Sequence, residues 1–169
     1  MNSPQAEPWL RGPIPGVDPL VAPVFASFAQ VREDLAAHTK GLSDADVWRS
    51  IDGIPALGFQ LRHIAGSVER LTAYLMGGQL TNDQIAVMQQ EGTPEGALTE
   101  LLAGVDAALA RSEHRLKTLD PASIYGRRSI GRKRLPSTVI GLIVHLAEHT
   151  QRHLGQAITT TKLLGTVKR

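Results

Sequence analysis

Neutral histidine is a common transition-metal ligand near neutral pH, and this chain places three of its six histidines, His145, His149 and His153, within one short stretch. At about 100° per residue, from about 3.6 residues per helical turn, His145 and His153 fall about 40° to either side of His149. Leu142, Leu146 and Leu164 share that face, so the histidines are expected to point into a core and not toward bulk water. Imidazoles at i and i+4 have Cβ atoms about 5–6 Å apart, close enough for His149 and His153 to reach one ion. A hydrogen-bonded or coincidental pair has the same spacing, so the metal reading needs a third ligand from another element. His63 offers it, at the edge of the apolar face of an upstream helix, with Gln60, Ser67 and Tyr74 on the adjoining strip. That strip is expected to face a polar cavity. Three neutral imidazoles suit a divalent ion, Zn²⁺ or Ni²⁺ ahead of Cu²⁺ and Fe²⁺, and leave a position open for water or substrate.

Other polar residues near this face take supporting roles. His145 is open to three readings, a fourth ligand, a proton shuttle or a core histidine, of which the noncoordinating ones are favoured. Gln156 is placed to orient a ligand or substrate, and Arg152 borders the same face. Glu148 and Gln151 point away from His149. His38 and His114 each stand alone near a helix end and are read as surface or capping residues. Arg127, Arg128, Arg132, Lys133 and Arg134 form the one basic concentration, either a solvated loop or an anion-binding lip beside the site. No residue is assigned a catalytic role.

Helices must position these side chains. Val24, Phe25, Phe28, Val31 and Leu35 recur at helical steps and predict a first helix over 21–39. Ser43 then caps a short turn through Trp48, with Asp44 and Asp46 near its positive end. Leu57, Leu61, Ile64, Val68, Leu71 and Leu75 define a second helix over 57–76, stopped by Gly77 and Gly78. A short helix is expected over 83–90. Thr93, Pro94 and Glu95 read as cap, first-turn proline and acidic first turn of a third helix over 93–119. Residues 120–136, broken by Pro121, Gly126, Gly131 and Pro136, form a connection with room for a short hairpin, and a fourth helix is expected over 137–164. The pattern predicts an all-α chain, a four-helix bundle with a short extra helix and a basic loop before the last helix.

Bulk properties narrow the chemistry. The 169 residues, 42% hydrophobic and 20% charged, suit one domain, with residues 1–17 and their prolines Pro4, Pro8, Pro13 and Pro15 as an extended lead-in. Aromatic residues make up only 4%, so the core must come from Leu, Ile, Val and Ala. Without cysteine the chain has no thiolate ligand, disulfide or thiol nucleophile. A net charge of +2, with no recognition-helix or stacking pattern beside the basic loop, argues against nucleic acid as a partner. The N-terminal stretch resembles neither a signal nor a membrane anchor, so cytoplasmic residence is expected.

The run from His145 through Leu-Ala-Glu, His149, Thr-Gln-Arg and His153 to Leu-Gly-Gln156 resembles the C-terminal signature of the DinB-like superfamily, a His-x-x-x-His followed closely by Gly-Gln. Gly58-Phe-Gln-Leu-Arg-His63-Ile-Ala-Gly-Ser resembles that family's second-helix motif, and Leu42-Ser-Asp-Ala-Asp-Val-Trp48 its connection between the first two helices. Leu154 stands where the commoner ending has arginine. The resemblance implies a DinB-type four-helix bundle, often a homodimer, with His63, His149 and His153 holding a divalent cation. It also implies a metal-dependent enzyme, a transferase or isomerase using a low-molecular-weight thiol such as mycothiol or bacillithiol and acting on a small-molecule substrate, while a water activated by the same ion would make a hydrolase. A noncatalytic metal- or small-ligand-binding stress-response protein is the alternative.

Overall fold

Helix formation here follows apolar stripes that need mutual cover. The computed structural model describes residues 6–167, so Pro4 lies outside the described residues. Four long helices, α1 (Ala22–His38), α3 (Leu57–Leu75), α5 (Leu98–Leu116) and α6 (Val139–Val167), form the bundle. Helix α3 packs between α5 and α6, while α1 lies against α6 and, over a shorter contact, α5. Phe28, Leu61, Ile64, Leu109, Leu146 and Leu154 meet in the interior and are fully buried. The all-α bundle expected from the sequence is the observed fold.

Two short helices, α2 (Asp44–Val47) and α4 (Asn82–Gln89), occupy the connections. Ser43 occupies the N-cap of α2 as expected, but Asp46 closes the turn: its Oδ2 accepts from the Ser43 backbone N–H at 2.9 Å and from the Ser43 hydroxyl at 2.6 Å. Asp44 does something else: its Oδ1 accepts from the Leu98 backbone N–H at 2.8 Å, capping α5 from a distant element. This bears on a difference from expectation, because α5 opens at Leu98 and not at Thr93. Gly96 adopts a left-handed φ of 94° that interrupts a helix there, and the Thr93 hydroxyl is spent on Gln90 Oε1. Trp48 ties these connections together. Its Nε1 donates to the Gly96 carbonyl at 3.1 Å, its ring lies where a Cβ on Gly58 would sit 2.6 Å away, and Arg62 stacks over it at 5.5 Å.

The connection before α6 holds an antiparallel hairpin, β1 (Arg127–Ile130) and β2 (Leu135–Thr138), with Arg127 opposite Thr138 and Ile130 opposite Leu135. Ser137 and Thr138 are thus engaged in the hairpin, which starts α6 two residues later than expected, at Val139. One of the basic side chains is structural: Arg128 Nε donates to the Leu75 carbonyl at 2.6 Å, satisfying the C-terminal end of α3. The lead-in is not simply extended, since Pro8–Leu10 make a 3-10 turn, Ile14 and Val17 pack on the core and Arg11 pairs with Glu33 of α1. Among the described residues no helix is long and apolar enough to cross a membrane.

Candidate functional site

The α3–α6 seam brings His63 from one helix against His149 and His153 from the other. Ring centroids are 5.3 Å apart for His63 and His149, 4.2 Å for His63 and His153, and 4.6 Å for His149 and His153. One ligand nitrogen from each ring lies within 4.8 Å of the other two, a cluster that can hold a metal ion. The three residues singled out by angular spacing are therefore brought together.

Two further side chains fix the orientation of the rings. The Nδ1 of His63 lies 2.7 Å from Glu91 Oε2 and, facing a carboxylate, must carry the proton. The Nδ1 of His153 donates to Gln60 Oε1 at 2.9 Å. Both partners are buried, Gln60 almost completely. In each ring Nε2 then keeps its lone pair, and the Nε2 atoms of His63 and His149 lie only 3.1 Å apart. The remaining nitrogen, His149 Nδ1, is buried and has no hydrogen-bond partner among the described residues.

Glu91 is the functional residue that the sequence reading missed. It lies on the connector after α4, and its other oxygen accepts from Arg70 Nη1. Burial would raise its carboxyl pKa, yet the hydrogen bonds from His63 and Arg70 outweigh this and hold it below the usual range. Helix α3 makes room for it with a glycine. A Cβ on Gly66 would collide with Glu91 Oε1 and sit 2.6 Å from Arg70 Nη1. Arg62 clamps the same connector, its Nη1 donating to the carbonyls of Gln90 at 2.9 Å and Thr93 at 3.1 Å.

The electrostatics favour neutral imidazoles. Burial first, then the neighbouring His153, His63 and His145, pushes the His149 pKa down to about 4. His153 is lowered as well, by burial, His63 and Arg152, against the opposing pull of Gln156 and Glu91. A neutral ring is the form that ligates metal.

A cleft of about 610 Å³ opens beside the cluster, and His63 and His149 form part of its wall. Ser67 and Tyr74 line it as expected, but Gln60 does not: it sits beneath the cluster and serves His153. The cavity also differs in character from the expected polar one. Leu71, Leu80, Ile85 and Met88 supply much of its surface, because α4 and the turn before it fold over that side. His145 lines the cleft too, with its ring 5.1 Å from that of His149 and its side chain 46% exposed. It is thus neither a core histidine nor part of the ligand cluster, since the cleft opens at its position on α6. Arg152 pairs with Glu148 on the exposed side, and Gln156 is exposed outside the cleft.

The basic residues divide. Arg132 lines the cleft, while Arg127, Arg128 and Arg134 border a separate shallow depression with Ser137 and Thr138. His38 and His114, in the last turns of α1 and α5, stay apart from the cluster.

Residues 27–157, which include all three histidines and Glu91, match a family model described as the DinB superfamily. No curated protein matches the chain.

Proposed function

This chain belongs to the DinB superfamily, and on that premise we propose that His63, His149 and His153 hold a divalent metal ion, Zn²⁺ or Ni²⁺, in a metal-dependent enzyme acting on a small molecule in the adjoining cleft. One observation carries the reading. With the Nδ1 atoms of His63 and His153 committed to Glu91 and Gln60, the Nε2 atoms of His63 and His149 face each other at 3.1 Å. Two imidazole lone pairs at that separation repel unless a proton or a cation lies between them. A neutral His149 with its proton on Nε2 would bridge that pair but leave His153 outside the bridge, whereas one cation engages all three rings, each of which offers a nitrogen within 4.8 Å of the other two. Hydrogen bonding of the distal ring nitrogen to a carboxylate or amide oxygen is the arrangement that orients metal-ligating histidines.

A divalent ion in such a site supplies Lewis acidity, lowering the pKa of a water or thiol that it binds. The chain's own residues do the rest. Glu91 and Gln60 fix which nitrogen of His63 and of His153 carries the proton. His145, half exposed on the cleft wall, is placed to exchange a proton between substrate and solvent. Ser67 donates its own proton to the Ile64 carbonyl at 3.1 Å, so toward the cleft its hydroxyl acts as an acceptor. Because the chain has no cysteine, a thiol nucleophile must arrive as a low-molecular-weight co-substrate.

Metal analysis after loading with Zn²⁺ or Ni²⁺ tests the site. Wild-type protein is expected to retain one equivalent, and His63→Ala and His149→Ala to lose it, with affinity lower by on the order of a hundredfold or more. Equal, substoichiometric metal in all three would overturn the metal reading. Metal-loaded protein is then offered low-molecular-weight thiols with electrophilic acceptors, and water-labile esters for the hydrolytic case. Turnover lost in His149→Ala supports the enzyme, whereas full metal loading with no turnover supports a noncatalytic metal-holding protein.

A further inference from the structure

We propose that the cleft takes an amphipathic anion, a small molecule whose apolar body packs against Leu71, Leu80, Ile85 and Met88 and whose negatively charged group pairs with Arg132. The inference rests on the metal-enzyme reading for which end of the molecule reacts, and on independent features for the chemistry of the remainder.

The first feature is the wall formed by α4. Among the described residues none in this helix is fully buried, and Met88 is 39% exposed. Polar anchors flank α4 on both sides. Before its N-terminus Gln79 Nε2 donates to the Ser129 carbonyl of the hairpin, and the Thr81–Gln84 capping box closes its first turn. After its C-terminus Glu91 is gripped by His63 and Arg70. Ile85 and Met88 therefore present apolar surface to a fixed gap, facing Leu71 and Leu80. Covering that surface with an apolar group is favourable at about 25 cal/mol per Å².

The second feature is charge. No aspartate or glutamate lines the cleft, and Arg70, which does, is neutralised by Glu91. Arg132 also lines it, and its side chain makes no ion pair or hydrogen bond among the described residues. The hairpin that carries it is braced, because Gln79 Nε2 donates to the Ser129 carbonyl at 3.0 Å. An unpaired guanidinium beside an apolar gap, with no acid to balance it, selects for a carboxylate or similar anion. The volume of about 610 Å³ suits a small organic molecule. With Arg132 on the hairpin and His149 on α6, the anion is held by a different element from the one carrying the reacting end.

Calorimetric titration of the full-length, metal-free chain with octanoate and with octanol tests this. Octanoate is expected to bind more tightly than octanol. Arg132→Ala is expected to weaken octanoate about fivefold, the value of a partly solvated charge-assisted hydrogen bond, and to leave octanol unchanged. Arg132→Lys should restore part of the loss, and Ile85→Gln should weaken both probes. Equal octanoate binding by wild type and Arg132→Ala, equal binding of the two probes, or binding of neither would overturn the proposal. So would a gain in octanoate affinity on Zn²⁺ loading that ignores Arg132, because the carboxylate would then sit at the histidines. If Arg132-dependent binding persists in a protein that retains no metal, the metal reading alone fails.

Discussion

Helix α3 buries polar groups on both of its packed sides, and the two sides treat them differently. Against α5, Thr72 Oγ1 lies 2.6 Å from Ser112 Oγ and itself donates to the Val68 carbonyl at 2.7 Å. Both residues are almost fully buried, and both hydroxyls are engaged. Against α6, the same helix sets His63 before His149 with two ring nitrogens facing each other and leaves His149 Nδ1 without a partner among the described residues. A buried polar pair that closes on itself holds helices together. One that leaves a buried ring nitrogen unpartnered, as His149 Nδ1 is, sets its seam apart, and it is on this seam that the proposed metal site lies.

The sharpest way to break that contrast is at Glu91. Glu91→Gln keeps the size of the side chain but removes the charge that fixes the His63 proton, and metal affinity is expected to fall by about 10–100-fold at unchanged helix content. Competition with a chromophoric chelator measures it; unchanged affinity would reduce Glu91 to a packing residue. Gly66→Ala approaches the same point from the helix. Alanine in a helix interior ordinarily stabilises by about 1 kcal/mol over glycine. Here a loss of stability and of metal affinity together is expected, because the added carbon displaces the Glu91 carboxylate.

On the other seam, Thr72→Val should cost about 1–3 kcal/mol in urea denaturation by stranding the Ser112 hydroxyl, and Ser112→Ala less, about 0.5–1.5 kcal/mol, because Thr72 keeps its bond to the Val68 carbonyl. The double variant should cost less than the sum, and none of the three should change metal affinity. A change in affinity would show that the two sides of α3 are not separable.

A further effect is expected on pH dependence. In the metal-free protein the folded state keeps His149 neutral down to about 4, whereas the unfolded chain takes up that proton near the ordinary 6.5. Between those values the unfolded chain binds more protons, so this contribution to stability is complete above about 6.5 and is lost as pH falls toward about 4. The downward shift of His153 adds in the same direction. Urea midpoints through that range check the slope; a midpoint that rises on acidification would contradict it.

The histidine cluster was legible because helical periodicity converts spacing into direction, and His63, His149 and His153 all sit inside strong apolar repeats. Glu91 sits on a connector, 28 residues from His63, where no period relates position to direction. Its one trace is indirect: Gly66 interrupts an otherwise strong helical stretch, and a glycine there signals that something approaches the helix closely. The long helices were recovered to within a few residues, except that α5 begins late, where a cap from Asp44 and the left-handed Gly96 override a local Thr-Pro-Glu pattern. The cleft was misjudged as polar because its apolar wall comes from α4, a helix whose side chains have no inward stripe to read. Five basic residues looked alike in sequence, and only tertiary placement separates Arg128, spent on α3, from Arg132, which lines the cleft.

Trp48 joins α2, the start of α3 and the Gly96 turn, and shares Arg62 with the connector that carries Glu91. The chain has one other tryptophan, Trp9, which is 66% exposed in the lead-in. Trp9 therefore emits from a largely aqueous environment, and changes in the emission of the half-buried Trp48 stand out against it. The fold thus contains an optical gauge: a ligand or substitution that tightens or loosens the connector alters the stacking of Arg62 on the indole and shows as a change in its fluorescence, without any added label.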